Sequence, residues 1–334
     1  MPRKGRIDYP GALHHVIIRG INRARIFDDD MDREEFIRRL EVGLNKTGLL
    51  CYAWALIPNH VHLLLRTGVN PLTGLMRSLL TGYAVYFNRR HNRVGYLFQS
   101  RYKSILCEED EYLLQLIRYI HLNPLRAGLV PDLAALNTFP WSGHAVLLGK
   151  HEAGWQGVTA SLSRFGKTVR TARKKYLDFV KKGIPEGKRS DLTGGGLVRS
   201  LGGWQAVRRM RKGGERFRGD ERILGNSDFV LEVLKVVEEK LAKQEEKRLA
   251  GWSMEKLLSQ VSKQYETEIE SIMRGKKQRS SSQARALFCW WATEELGYTL
   301  TEVGEYLNVS HQAVSQAKQR VEVLPEKPVF NCSK

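Results

Sequence analysis

Three shortages shape this 334-residue sequence. Its four cysteines, Cys51, Cys107, Cys289 and Cys332, lie far apart and form no Cys-x-x-Cys pair. Neither a zinc ribbon nor a disulfide framework is suggested, and a reducing compartment fits. No stretch approaches the roughly 18 uninterrupted apolar residues of a spanning helix, and the opening "MPRKGRIDYPGAL" carries basic residues with no apolar run behind them. The expectation is a cytoplasmic protein with no membrane partner. The third shortage is acid: 36 Asp and Glu face 54 Lys and Arg, a formal charge of +18. Such an excess favours polyanions through counterion release and steering, nucleic acid before all others.

Against these absences stand 42% hydrophobic residues, enough over this length to give at least one of two domains a proper core. Residues 1–150 alternate short strands with amphipathic helices. The strand candidates are "ALHHVIIRG", "LCYAWALI", "HVHLLLR" and the region around "LFQSRYKSIL". Between the first two, Phe36, Ile37, Leu40 and Leu44 share a helical face, with Asp32 as N-cap and Gly48 as stop. Pro58 and Asn59 supply a tight turn, so the second and third strands form a hairpin. Helices follow through "LTGLMRSLLTGYAVYFNRR" and "DEYLLQLIRYIHLN". The β-α-β-β-α-β order predicts an α+β fold of ferredoxin-like type, an antiparallel sheet covered by helices on one face.

Residues 151–226 read as a basic, Gly-rich connector. Positions 164–222 hold 18 Lys and Arg against 6 Asp and Glu, so an excess of 12 out of the whole +18 is concentrated there. Such a segment is either a solvated linker or a tracker of phosphates, and it can be the second without folding. Residues 227–334 read as an all-α domain. Within it, 284–320 has a helix bearing Leu287, Trp290, Trp291 and Leu296 and stopped at Gly297. Thr299 and Glu302 form a capping box for the next short helix, and Ser310 caps a last one. There Val314 and Ala317 face inward while Gln312, Ser315, Gln316, Gln319 and Arg320 are polar, the layout of a helix-turn-helix that could read duplex DNA in the major groove. A small bundle with a polar outer face is the other reading.

The chemistry-bearing stretch is "IPNHVHLLLR". On a strand, alternation sends His60, His62 and Leu64 to one face, with the two imidazoles roughly 7 Å apart. Such a pair can bind a divalent cation, or it can be two ordinary histidines. Some sixty residues later Gln115, Tyr119 and Asn123 form an i, i+4, i+8 stripe beside the apolar arc of Leu113, Leu116, Ile117 and Ile120. By itself that tyrosine could equally be a packing residue with a wet hydroxyl.

The motifs "HHVIIRGINRARIF", "WALIPNHVHLLL", "LFQSRYKS", "YLLQLIRYIHLNPLRAGLV" and "FPWSGH", in that order, resemble the Y1 transposases of the HUH endonuclease superfamily. The branch is that of the transposases associated with repetitive extragenic palindromes. The resemblance implies that His60 and His62 are the HUH pair, that Tyr119 is the nucleophile and that Asn123 takes the place of the third metal ligand. Two imidazoles and an amide oxygen suit Mg²⁺ or Mn²⁺. The implied activity is cleavage and transfer of single-stranded or hairpin DNA through a 5′-phosphotyrosine, in a nucleoid-associated protein of bacterial type. Arg19, Asn22, Arg23, Arg25, Arg101 and Lys103 are candidate DNA contacts, each alone as well explained as a solvated charge. Tyr83, Tyr86, Tyr96, Tyr102 and Tyr112 are assigned to packing or base stacking. The stretch from Ala284 to Arg320 resembles the DNA-binding helix-turn-helix of the bacterial initiator DnaA, although "SHQAVSQ" departs from that family's usual start to the recognition helix. The competing function is a non-catalytic, sequence-specific DNA-binding regulator that uses these C-terminal helices.

Overall fold

The computed structural model describes residues 6–187, 189, 192, 220, 222–274, 278–322 and 330. Most of the Gly-rich, basic stretch assigned to the connector lies outside the described residues. Backbone contacts divide the chain into two compact units, Met1–Glu232 and Val233–Lys334.

The first unit begins β1 (Leu13–Arg19), α1 (Asp30–Thr47), β2 (Leu50–Ile57), β3 (His60–Arg66), α2 (Leu72–Arg90), β4 (Lys103–Cys107) and α3 (Glu109–His121). The sheet order is β2-β3-β1-β4, with all of these neighbours antiparallel, the order of a ferredoxin-like sheet. A two-residue strand β5 (Ile223–Leu224) adds in parallel to β4. The β2–β3 turn is Pro58–Asn59, as expected. Helix α1 stops at Gly48, whose left-handed φ of 67° suits a residue without Cβ. Its N-cap, however, is Asp29 rather than Asp32. Asp32 lies one turn in, fully buried, accepting from the Asp28 backbone N–H, Arg90 and His91.

The sheet is covered on both faces, not one. Strand alternation sends Val16, Ile18, Trp54, Leu56, Val61, Leu63 and Leu65 into a core with Phe36, Leu40 and Leu44 of α1 and Leu75, Leu79 and Phe87 of α2. It sends Leu13, Ala53, Ala55, Leu64, Ile105 and Cys107 to the opposite face, against Leu113, Leu116, Ile117 and Ile120 of α3. A strand buried on both faces reads as a continuous apolar run, and β2 is one, which is the signal that one-sided cover overlooks.

Beyond α3 come the short helices α4 (Asn123–Arg126), α5 (Leu133–Thr138), α6 (Gly143–Leu147) and α7 (Val158–Leu162), then α8 (Val169–Lys182). Although α7 and α8 fall in the segment read as connector, Leu162, Ala172, Tyr176 and Val180 are buried in the core beneath α3. Tyr176 fixes α8 there: its hydroxyl lies 2.7 Å from His121 Nδ1 and 2.6 Å from His144 Nδ1, and all three side chains are buried. The positive charge of α8 is therefore the outer face of an amphipathic helix.

The chain continues with α9 (Ser227–Leu249), α10 (Met254–Gln264), α11 (Ile269–Arg274), α12 (Arg279–Glu294), α13 (Leu300–Tyr306) and α14 (His311–Glu322). The core of the second unit is Trp252, Leu257, Val261, Leu287, Phe288, Trp291, Leu296, Val303, Leu307 and Val314. The Thr299–Glu302 capping box is present in both directions, and Ser310 Oγ accepts from the Ala313 N–H at the start of α14. The turn between α13 and α14 is tight because Gly304 has no side chain: a Cβ there would lie 2.8 Å from the Val309 carbonyl oxygen. Among the described residues no helix is long and apolar enough to cross a membrane.

Candidate active site

Where β1 ends and β3 and β4 begin, a cleft of about 820 Å³ opens beside the C-terminal end of α3. Its walls hold His60, His62, Tyr119 and Asn123, residues from strand and helix that sequence reading had linked. Arg19, Arg101 and Lys103 line it too, all exposed. Gln99, Ser100, Arg126 and Arg189 were not anticipated there. Asn22, Arg23 and Arg25 are exposed but do not line the cleft, and Arg25 pairs with Asp28. None of the five other tyrosines weighed from sequence lines it either. Tyr83 is buried, with its hydroxyl donating to the Ile26 carbonyl, and Tyr96 is 84% exposed.

The sheet register explains the convergence. Opposite β3, Ile17 pairs with His62 and Arg19 with His60, so β1 presents His15, Ile17 and Arg19 on the face that carries both of these histidines. The His60 and His62 ring centroids are 5.0 Å apart. Tyr119 sets its ring edge-on to His62 at 5.8 Å and to His15 at 5.9 Å. Helix α3 ends at His121, and Asn123 opens α4, so the helix breaks between Tyr119 and Asn123 yet still places them one turn apart.

Both imidazoles are held neutral. Burial, with a smaller push from Arg19, brings His60 down to about 4. Burial, then the neighbouring His15, His60 and Arg19, keeps His62 well below the ordinary histidine value. A side chain interaction also orients His60. Asn59 Nδ2 donates to the Arg23 carbonyl at 3.2 Å, which turns Asn59 Oδ1 toward His60 Nδ1 at 2.7 Å. His60 Nδ1 therefore carries the proton, and its Nε2 keeps a lone pair. Arg126 packs its guanidinium 5.5 Å from the centre of the Tyr119 ring. Burial holds that guanidinium below its usual value, and Tyr119 offsets part of this. Its Nε and Nη1 are buried with no hydrogen-bond partner.

A divalent cation fits this set of donors. Metal ligation requires neutral imidazoles, and burial supplies them. Asn123 is 8% exposed, and its Nδ2 is buried with no hydrogen-bond partner. Since the two ends of an amide are interchangeable in shape, turning it places a carbonyl oxygen at that unpartnered position, where an acceptor for a cation belongs. Among the described residues, three carboxylate or histidine ligand atoms come together only at Asp28, Asp32 and His91. That cluster does not line the cleft, and Arg90 already neutralises its buried Asp32.

The candidate DNA-reading residues of the second unit lie on α14. Gln312, Gln316 and Arg320 are exposed, and Ser315 and Gln319 half-exposed. Arg320 Nη1 donates to Ser282 Oγ of α12 at 2.7 Å.

His15, Arg126 and Arg189 are what sequence reading missed. For His15 the signal was available, since "ALHHVIIRG" alternates like "HVHLLLR" and only their register was unknown.

Comparison with known proteins finds similarity to the first of these regions. Residues 9–123 match the family model described as transposase IS200 like. A solved structure of a REP-associated tyrosine transposase bound to a REP hairpin is similar at 15% identity, over 47% of this chain and 90% of that one, with a TM-score of 0.37. No curated protein matches the chain.

Proposed function

We propose that the protein is a cation-dependent single-strand DNA endonuclease and strand transferase acting on hairpin or repetitive palindromic DNA. One observation carries this reading: His60, His62, Tyr119 and Asn123 line a single cleft together with Arg19, Arg101, Lys103 and Arg126. His60, His62 and Asn123 would hold Mg²⁺ or Mn²⁺, which when bound offsets charge growing on the non-bridging oxygens of the scissile phosphate.

The remaining steps belong to the chain's own side chains. Arg19, Arg101 and Lys103 attract the DNA backbone and set its register in the cleft. Arg126 offers its unpartnered N–H groups to the phosphate, exchanging an unsatisfied buried donor for a charge-assisted hydrogen bond. Tyr119 attacks phosphorus: the bond from its oxygen forms, the bond to the 3′ oxygen breaks, the phenol gives up its proton and the 3′ oxygen gains one. The 5′-phosphotyrosine so formed retains an activated ester, so a second 3′-hydroxyl can displace Tyr119 and rejoin DNA without ATP. The exposed polar face of α14 supports an added role in holding duplex DNA.

The test is covalent capture. With a single-stranded hairpin oligonucleotide and Mn²⁺, the protein is expected to give a denaturation-resistant adduct, and Tyr119→Phe none. An equal adduct from Tyr119→Phe, or none from the unaltered protein, removes the mechanism and leaves a DNA-binding regulator as the better reading.

A further inference from the structure

Neither the family resemblance nor the reaction above gives His15 a role, yet it is wholly buried in the wall behind His62. Its Nε2 lies 2.9 Å from His62 Nδ1, and its Nδ1 lies 3.3 Å from the Leu192 carbonyl oxygen. The two rings are nearly parallel, 5.2 Å between centroids.

These contacts fix proton positions in sequence. A carbonyl oxygen can only accept, so His15 Nδ1 must carry a proton toward Leu192. A neutral His15 then has a bare Nε2, which must accept, and His62 Nδ1 must donate to it. Reversing either ring would set a nitrogen lone pair against an oxygen or another nitrogen lone pair in a buried site, the costly arrangement for a polar pair. The outcome is that His62 keeps its own proton on Nδ1 and presents the Nε2 lone pair. Asn59 imposes the same tautomer on His60 from the other side.

We infer that His15 is a positioning residue that locks His62 in the Nδ1–H tautomer, so that the Nε2 lone pairs of both histidines are available to one divalent cation before any cation arrives. The relay Leu192 carbonyl, His15, His62 shifts no net charge. It determines only which nitrogen bears the proton, the role that outer hydrogen-bond partners play behind metal-binding histidines generally. The value of that tautomer rests on the cation-site reading above, whereas the tautomer itself does not.

The test uses the full-length, cation-free protein labelled with ¹⁵N-histidine, with the His62 signals assigned by their loss in His62→Gln. Long-range ¹H–¹⁵N spectra should show His62 with its proton on Nδ1 and a bare Nε2. His15→Phe keeps a flat ring but no acceptor, and should move the proton to Nε2 in a large share of molecules. His15→Gln, whose side-chain oxygen can still accept, should restore the Nδ1–H form. Mn²⁺ affinity, measured directly by electron paramagnetic resonance, should fall roughly 10- to 100-fold in His15→Phe and recover in His15→Gln.

A proton on Nε2 of His62 in the unaltered protein overturns the inference, even if His15→Phe does not fold. So does a His15→Phe variant with unchanged tautomer and Mn²⁺ affinity. If the tautomer behaves as expected while Tyr119 takes up no DNA, the inference stands and the enzymatic reading alone fails.

Discussion

The two units place polar side chains in opposite ways. In the first, His14, His15, His62, His121, Asn123 and His144 are buried between sheet and helices. In the second, the buried polar residues among those described are Thr267, Ser271 and Ser281, and the ionic groups gather toward the rim. There Lys240 and Lys318 both reach Glu294, and Lys247 pairs with Glu295. The contrast fits the tasks proposed above for the two regions. A reaction at phosphorus needs uncharged imidazoles at fixed angles in a partly dry cleft, so its groups must be built into a core. A surface that holds nucleic acid needs solvated donors on a rigid support, and one capped helix suffices.

The sharpest way to break this contrast is to remove one imidazole of the cleft. His60→Ala deletes a proposed ligand at the cleft mouth while leaving the basic rim untouched. Adduct formation on a hairpin oligonucleotide should fall by at least roughly a hundredfold, the scale of losing one main electrostatic stabiliser of a developing charge. Hairpin binding in the absence of cation should stay within about twofold, because the proposed backbone contacts Arg19, Arg101 and Lys103 remain. Parallel losses of binding and adduct would mean that His60 holds DNA rather than serving the reaction.

Acid should separate the units next. Burial lowers His144 to about 4 and His121 well below its ordinary value. Between about pH 6.5 and 4 the unfolded chain therefore binds more protons at these sites than the folded one. Stability is fully present above pH 6.5 and falls as pH drops toward 4, with His144 contributing of the order of 3 kcal/mol. In the second unit, burial alone would raise the Glu294 carboxyl, but Lys318 and Lys240 outweigh it and hold the group at about 2. Its contribution is present above the ordinary carboxylate value and is lost only as pH falls through about 2. Hydrogen exchange at pH 4.5 should then show the first unit losing protection while α12 and α14 keep theirs. Replacement of His144 by Asn should flatten the pH dependence of the first unit. Equal losses in both units would show that their buried groups do not differ in this way.

How far the sequence revealed these features depended on distance along the chain. The hairpin at Pro58–Asn59, the stop at Gly48 and the capping box at Thr299 rest on neighbours within a few residues, and local chemistry decides them. The shared face of His60 and His62 follows from period two alone. That Tyr119 and Asn123 meet this pair was legible only through the ordered motifs, because helix position over a sheet depends on packing that one strand does not encode. His15 needed the β1–β3 register, which slides every pairing if it slips by one residue. The cover on the second face was hidden for another reason. Tyr176 sits in a strongly basic helix, where composition suggested a solvated linker although Ala172, Tyr176 and Val180 trace a buried stripe.

The smallest expected effect concerns the second unit and marks the limit of the contrast. Gln316 and Arg320 lie four residues apart on α14, hence on one face, and both are exposed. Val314, Ala317 and Val321 are buried on the opposite side, so Gln316→Ala with Arg320→Ala changes the surface and not the core. Arg320 donates one hydrogen bond to Ser282, which aims the guanidinium without using all five of its donors. If this face holds duplex DNA, the double variant should weaken duplex binding roughly tenfold, about the loss of one good side-chain contact, and lower the slope of log affinity against log salt by about 1. Adduct formation on a short hairpin should be unchanged, since the residues proposed for that chemistry lie in the first unit. Duplex affinity that is indifferent to the double variant would move the binding to the basic segment after α8. The helices of the second unit would then have another task, and the division between a buried reaction site and an exposed binding face would not hold.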